Sequence, residues 1–460
     1  MPPRFVTLVC TAAMLATALA GCSQQPPANQ TATSPTASAT DPSSPAQSSD
    51  NSTPAGNPQA SASPVIRPAG LTASIPQPDA ASNPAVSEDS PAAPADTPQF
   101  PDDEATQSLA EIRRLRIAPV PAEIDAARKA RRERNQSIID LATRAIRGTM
   151  NDTTRAQQFQ AAVNQLLEAR FQLALTGSDE DIDALYSDVQ ALSDRDPESA
   201  AAAEGVYTIA RFAHTKAGLS GKSQPIWFET LSRWAREFAD RFPKDQKRAT
   251  SLLFGAARSC ELHALSATDP NLNTRLLTES QLCYTTLAEK FPSSDQGQQA
   301  TAALRRLALP GQVLTQFSGP TSDGGYLSSE DFPGKPTLIF FWDSESEEFR
   351  ETLLPALTRI RQQLPPERLR IIGVALDEDE TALNSFLEQH PVPGQQIFFT
   401  QPAQRAWNSP LVRFWGLAAA PSVWVLNSDA KVLSTNVTTE QLVPTLQKAL
   451  RQSAEPATQP

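Results

Sequence analysis

Apolar positions recur at helical spacing from Asp102 to Leu307, and at strand-then-helix spacing after Pro310. In the first stretch the period predicts helices over Gln107 to Arg116, Ala122 to Thr149 and Thr153 to Leu175, with Ile138, Ile139, Leu141, Ala142 and Ile146 forming one stripe. Gly177-Ser178-Asp179 interrupts the pattern, and Asp181 is expected to start a further helix. The second stretch predicts strands at Thr337 to Trp342, Leu369 to Leu376, Gln396 to Thr400, Ser422 to Leu426 and Lys431 to Asn436. Helices are expected at Glu345 to Gln363, Glu380 to Gln389, Pro410 to Trp415 and Thr439 to Arg451, so the sheet should be mixed and covered on both faces.

A weak repeat runs through the helical part. Asp196-Pro197, Phe242-Pro243 and Phe291-Pro292 each close a helix, 46 and 49 residues apart, and an Ala-rich helix follows each. The spacing resembles tetratricopeptide-type hairpins with insertions, units that bury their apolar faces only by stacking. Such a stack offers a groove for a protein partner, or serves as a spacer.

The amino-terminal hundred residues differ in kind. Of the 40 Pro in the chain, 16 lie between Cys22 and Asp102, and residues 23–101 hold one basic side chain (Arg67) and one aromatic (Phe100). A segment so poor in apolar surface cannot offset its ordering entropy, and as a coil it would span on the order of 50 Å. Before it, the apolar run Phe5 to Ala20 is short for a membrane span and suits a signal-peptide core. It ends in Leu19-Ala20-Gly21-Cys22, which resembles the bacterial lipobox. That resemblance implies acylation of Cys22, anchorage in the cell envelope on the extracytoplasmic side and, with Ser23 following, sorting to an outer membrane. The expected division is a signal peptide at 1–21, a disordered tether at 22–103, a helical region at 104–308, an α/β domain at 309–452 and a disordered tail at 453–460.

Charge and composition narrow the function. Forty basic against 51 acidic residues give −11, which argues against a nucleic-acid partner. Three His and four Cys leave little for a metal site or a disulfide framework, and no cofactor or small-molecule substrate is expected. Cys260 and Cys283 lie 23 residues apart on neighbouring predicted helices. They could form a disulfide, stay buried as thiols, or act as a redox pair.

The run Phe332-Pro333-Gly334-Lys335-Pro336-Thr337-Leu338-Ile339-Phe340-Phe341-Trp342, then Phe414-Trp415-Gly416-Leu417 and Ala420-Pro421-Ser422-Val423-Trp424-Val425-Leu426, resembles the thioredoxin-like fold. Within that fold it resembles the extracytoplasmic, membrane-anchored thiol-disulfide oxidoreductases and the related alkyl-hydroperoxide-reductase/thiol-specific-antioxidant group, over roughly residues 310–452. The resemblance implies two redox Cys after the first strand, at positions occupied here by Ser346 and Phe349, and a cis-Pro at Pro421. No Cys follows Cys283. Disulfide exchange needs a thiolate and a second, resolving sulfur, and a peroxidatic mechanism also needs Cys. Ser344-x-x-Glu347 predicts a capping box in place of the active-site turn. The acidic side chains Asp343, Glu345, Glu347 and Glu348 read as a solvated face, or as ligands for Ca²⁺. Trp342, Trp415 and Trp424 are expected in the core and His390 in a loop.

The expected whole is multidomain: a disordered tether, an all-α region and an α/β thioredoxin-like domain. Its expected role is protein or peptide binding or scaffolding on a lipid anchor. The alternative is a thiol-disulfide oxidoreductase or peroxiredoxin-like enzyme.

Overall fold

The computed structural model describes residues 103–452. The lipobox, Cys22 and the tether lie outside the described residues.

The helical region holds α1 (Glu104–Ile117), α2 (Ile124–Thr149), α3 (Ala156–Thr176), α4 (Asp179–Arg195), α5 (Ala200–Ser220), α6 (Ile226–Arg241), α7 (Gln246–Ser266), α8 (Pro270–Lys290) and α9 (Asp295–Leu307). Local chemistry fixes their ends. Asp103, Ser199, Asp245, Asp269 and Ser294 each accept an amide N–H of the first turn, and Ser178 with Asp181 forms a reciprocal capping box. The repeated Phe-Pro is a stop: α6 and α8 end one residue before Phe242 and Phe291, whose rings are buried while the following Pro prevents continuation. Each helix packs on its successor, and α3 on α5 and α6 on α8. One core joins α1 to α3 through Ile112, Ile138 and Leu166, and a larger one runs from α3 to α9 through Phe212, Trp227, Phe238 and Tyr284.

The α/β region holds β1 (Ser318–Pro320), β2 (Tyr326–Ser328), β3 (Thr337–Trp342), α10 (Leu354–Gln363), β4 (Arg370–Ala375), α11 (Glu380–Gln389), β5 (Gln395–Ile397), α12 (Pro410–Trp415), β6 (Ser422–Leu426), β7 (Val432–Ser434) and α13 (Thr439–Gln452). The main sheet runs β5-β4-β3-β6-β7, parallel across β5, β4 and β3 and antiparallel beyond. All six residues of β3 are buried, as its unbroken apolar run requires of a strand covered on both faces. Alternation sends Ile339 and Phe341 to the face with α12, and Leu338, Phe340 and Trp342 to the face with α10, α11 and α13.

Both outer strands are covered. Residues after α9 pair with β7, where Gly311 donates to the Val432 carbonyl at 2.7 Å. On the other side Phe398 donates to the Pro320 carbonyl of β1 at 3.0 Å. Gly373 is demanded by packing, because a Cβ there would meet the Gln396 Oε1 at 1.8 Å. That amide oxygen accepts from the Trp342 indole at 3.0 Å and so satisfies the one polar atom of a fully buried ring.

Candidate functional site

Ligand sites in open α/β sheets form beyond the carboxyl ends of the strands. Here that place is the turn after β3, beside the turn after β4. Leu376 donates to the Trp342 carbonyl at 2.7 Å, carrying the pairing one residue past β4. Asp377 then accepts from the Ser344 amide at 3.1 Å and from the Ser344 hydroxyl, both on Oδ1. The two turns are therefore tied by a buried carboxylate whose Oδ2 has no protein partner.

Ser344 is consequently not the helix cap that its spacing from Glu347 suggested. Asp343 Oδ1 accepts from the amides of Glu345 (2.8 Å) and Ser346 (3.1 Å), and Ser346 Oγ accepts from the Phe349 amide at 3.2 Å. The helix starts two residues later than expected, at 347, passes through a π turn at Phe349–Leu353 and continues as α10. The reason is tertiary: Asp377, distant in sequence, takes the Ser344 hydroxyl, and Ser346 supplies the cap.

Of the two positions the resemblance marks for sulfur, Ser346 is half-buried and engaged as this cap. Phe349 is fully buried, with its ring stacked on Trp342 at 4.4 Å between centroids and near Phe340 and Phe386 at 6.2 and 6.3 Å. Neither offers a thiol. Asp343 spends an oxygen on backbone amides, and among the described residues no group of three or more His, Cys, Asp or Glu side chains converges as metal ligands.

Burial raises the Asp377 carboxyl above the usual Asp range and the Asp343 charge adds to this, while the Ser344 hydrogen bonds pull it down. The folded protein therefore holds this proton to higher pH than the unfolded chain does. The stability it contributes is complete below the unfolded-state pKa, near 4, and is lost as pH rises through the raised value. Asp377→Asn keeps the acceptor and cannot titrate. Denaturation at pH 4 and pH 7 should show the variant gaining stability relative to the parent as pH rises; a pH-independent difference would contradict the assignment.

Pro421 follows a cis peptide bond from Ala420 and lies between α12 and β6. The approach to it is held by the helical region. Arg258 of α7 donates to the Leu417 carbonyl at 3.2 Å and to that of Ala418, Arg306 of α9 to that of Gly416 at 3.1 Å, and Arg305 to that of Phe414. These guanidinium groups take the Phe414 carbonyl in the last turn of α12 and three carbonyls of the segment that follows it. Gly416 has φ +58°, and a Cβ there would lie 2.3 Å from the Ala303 amide nitrogen, so only Gly lets α9 come this close. Behind the contact, Glu261 accepts from Arg306 at 2.6 Å and from the Tyr284 hydroxyl at 3.0 Å. The Glu261 side chain is 0% exposed and that of Arg306 4%.

Cys260 and Cys283 are free, buried thiols, so the disulfide their spacing allowed is not formed. Cys260 Sγ donates to the Phe228 carbonyl at 3.5 Å, and Cys283 Sγ lies 3.1 Å from the Ser232 hydroxyl. Burial pushes the Cys283 thiol up to about 11 and the Cys260 thiol higher still, which suppresses the thiolate that redox exchange requires. Iodoacetamide labelling read peptide by peptide should leave both unmodified in the native protein and label both in denaturant. Rapid native labelling of either would contradict their inert role.

The three Trp lie in the core as expected, at 0, 3 and 0% exposure for Trp342, Trp415 and Trp424. His390 lies in the loop just past α11, as expected, exposed and with its ring stacked on Phe386 at 4.4 Å. The sequence reading also missed the β1–β2 hairpin, the Asp377 tie and the arginine contacts to 414–418.

Residues 310–433 match the AhpC/TSA family. The carboxy-terminal region thus carries an AhpC/TSA-type, thioredoxin-like domain, preceded by an all-α region. Among solved structures it is similar to the C-terminal domain of a protein assigned as a thiol-disulfide oxidoreductase from Bacteroides thetaiotaomicron, with 21% identity, TM-score 0.28, and 31% of this chain and 97% of that one covered. It is also similar to the thioredoxin domain of a thiol-disulfide oxidoreductase from Bacteroides vulgatus (19%, 0.27, 30% and 96%) and to a thiol-disulfide oxidoreductase from Bacteroides fragilis (21%, 0.27, 30% and 98%). No curated protein sequence matches the chain. Among the described residues no helix is long and apolar enough to cross a membrane.

Proposed function

We propose that the protein is an extracytoplasmic lipoprotein, anchored through Cys22, whose thioredoxin-like domain is redox-inactive and acts with the helical region in binding or scaffolding other proteins. The observation that carries this reading is the fate of the two sulfur positions. Ser346 is spent as a helix cap, and Phe349 is a buried aromatic anchor. A Ser hydroxyl without a base is no substitute for a thiolate, and Phe349 leaves no atom to resolve a mixed disulfide. Fold alone does not confer the activity of relatives.

The repeated Phe-Pro stops and sequential packing of α4 to α9 support a tetratricopeptide-like stack. The arginine contacts to 414–418 join the two regions, which favours a surface to which both contribute. The family match favours the enzymatic alternative only at the level of fold.

Two measurements test the proposal. Mass spectrometry of the amino-terminal peptide should find an acylated Cys22; an unmodified Cys22 in the mature chain would refute the anchor. Crosslinking in intact cells should attach the same protein partner in repeated captures, and loss of that partner from every capture would leave the binding role without support.

A further inference from the structure

The tip of the α1–α2 hairpin has features that protein scaffolding does not use. α1 ends at Ile117, α2 begins at Ile124, and Ala118-Pro119-Val120-Pro121-Ala122-Glu123 joins them. Ile117 is 84% exposed and Ile124 75%, the two most exposed large apolar side chains among the described residues. One such residue is ordinary on a protein surface; two at the ends of a Pro-Val-Pro link make an apolar tip.

The flanks of this tip are cationic. Between Ile112 and Arg134 lie eight basic residues against three acidic ones, in a chain whose formal charge is −11. Arg114 pairs with Glu111, Arg128 with Asp125 and Lys129 with Glu133, all through exposed contacts within a single helix that contribute little and leave the positive field largely intact. Arg132 pairs with Asp181 at the start of α4.

Beside the tip, α1 and α3 enclose a cleft of about 290 Å³. Leu109, Ile112 and Ile117 give it an apolar lining, and Arg113 and Arg116 a cationic one. Arg116 Nε donates to Gln165 Oε1 at 3.1 Å, but its Nη2 is buried with no hydrogen-bond partner. A buried guanidinium N–H without an acceptor is costly, and an anionic oxygen is the acceptor it binds best.

We propose that the α1–α2 hairpin docks on an anionic lipid surface, with Ile117 and Ile124 entering the boundary between headgroups and acyl chains and Arg113 and Arg116 holding a lipid phosphate at the cleft. Charge complementarity accounts for the arginines, and a lipid interface also accounts for the bare isoleucines, which an acidic peptide alone would not require. The docking needs no acyl group on Cys22.

The test uses the mature chain from residue 22 carrying Cys22→Ser, so that neither the apolar leader nor an acyl anchor contributes, and vesicles of phosphatidylcholine with or without phosphatidylglycerol. The chain should sediment with the phosphatidylglycerol vesicles and much less with the neutral ones. Ile117→Ser with Ile124→Ser should weaken that partition by on the order of tenfold or more. Arg113→Gln and Arg116→Gln should weaken it roughly fivefold per arginine, and added salt should do likewise. The isoleucine variant should melt as the parent does, because both side chains are already in solvent. Equal partition of the parent and the isoleucine variant would overturn the proposal, since the binding would then come from elsewhere in the chain. Capture of soluble oligoglutamate, with vesicle partition unchanged by the isoleucine substitutions, would also overturn it and assign the cleft to an acidic protein segment.

Discussion

Glu261→Ala should lower the free energy of unfolding by about 3–5 kcal/mol, the usual cost of removing one partner from a fully buried ion pair. The substitution strands the Arg306 guanidinium and the Tyr284 hydroxyl in an interior where each made a hydrogen bond to this carboxylate. Arg306 also serves the Gly416 carbonyl, so the damage should reach the junction of the helical and α/β regions. Urea unfolding measures the loss. Most of it comes from the stranded charge rather than from the value of the pair, so Glu261→Leu with Arg306→Met should recover much of it. A single substitution that costs under about 1 kcal/mol would mean the pair is solvated in solution.

Phe349→Ala should cost a comparable amount, about 3–5 kcal/mol, through lost burial and the cavity left behind. The ring packs against Trp342, Phe340 and Phe386 in the core shared by α10, α11 and α13. Phe349→Cys should fall between the parent and the Ala variant. Rebuilding the dithiol with Ser346→Cys and Phe349→Cys would therefore damage the core while supplying the sulfur. Ser346→Ala alone should lose only the cap, about 1 kcal/mol. Thermal and urea denaturation of the four variants would show whether the two positions differ as their burial implies.

The legible parts of this fold were those written in local pattern. The continuous apolar run at Thr337 to Trp342 specified the central strand, and Phe-Pro followed by a capping residue marked the ends of α6 and α8. Spacing could not report contacts between distant residues. Glu261 and Arg306 sit 45 residues apart on α7 and α9 with no period linking them. Ser344 reads locally as a helix cap, and only the approach of Asp377 from the next strand assigns it otherwise. The β1 and β2 strands have three residues each, with Gly and Pro in β1, too short for alternation to show. The candidate site was legible mainly through its missing cysteines. What replaced them, an Asx turn, a serine cap and an aromatic stack, depended on tertiary packing.

Residues 310–452 are inferred to keep a thioredoxin-like shape without its sulfur chemistry, a claim that insulin reduction with dithiothreitol as electron donor can refute. The full chain carrying Cys260→Ser and Cys283→Ser should reduce insulin no faster than dithiothreitol alone, and the unsubstituted chain should behave the same way. Turnover well above that background in the substituted chain would contradict the claim.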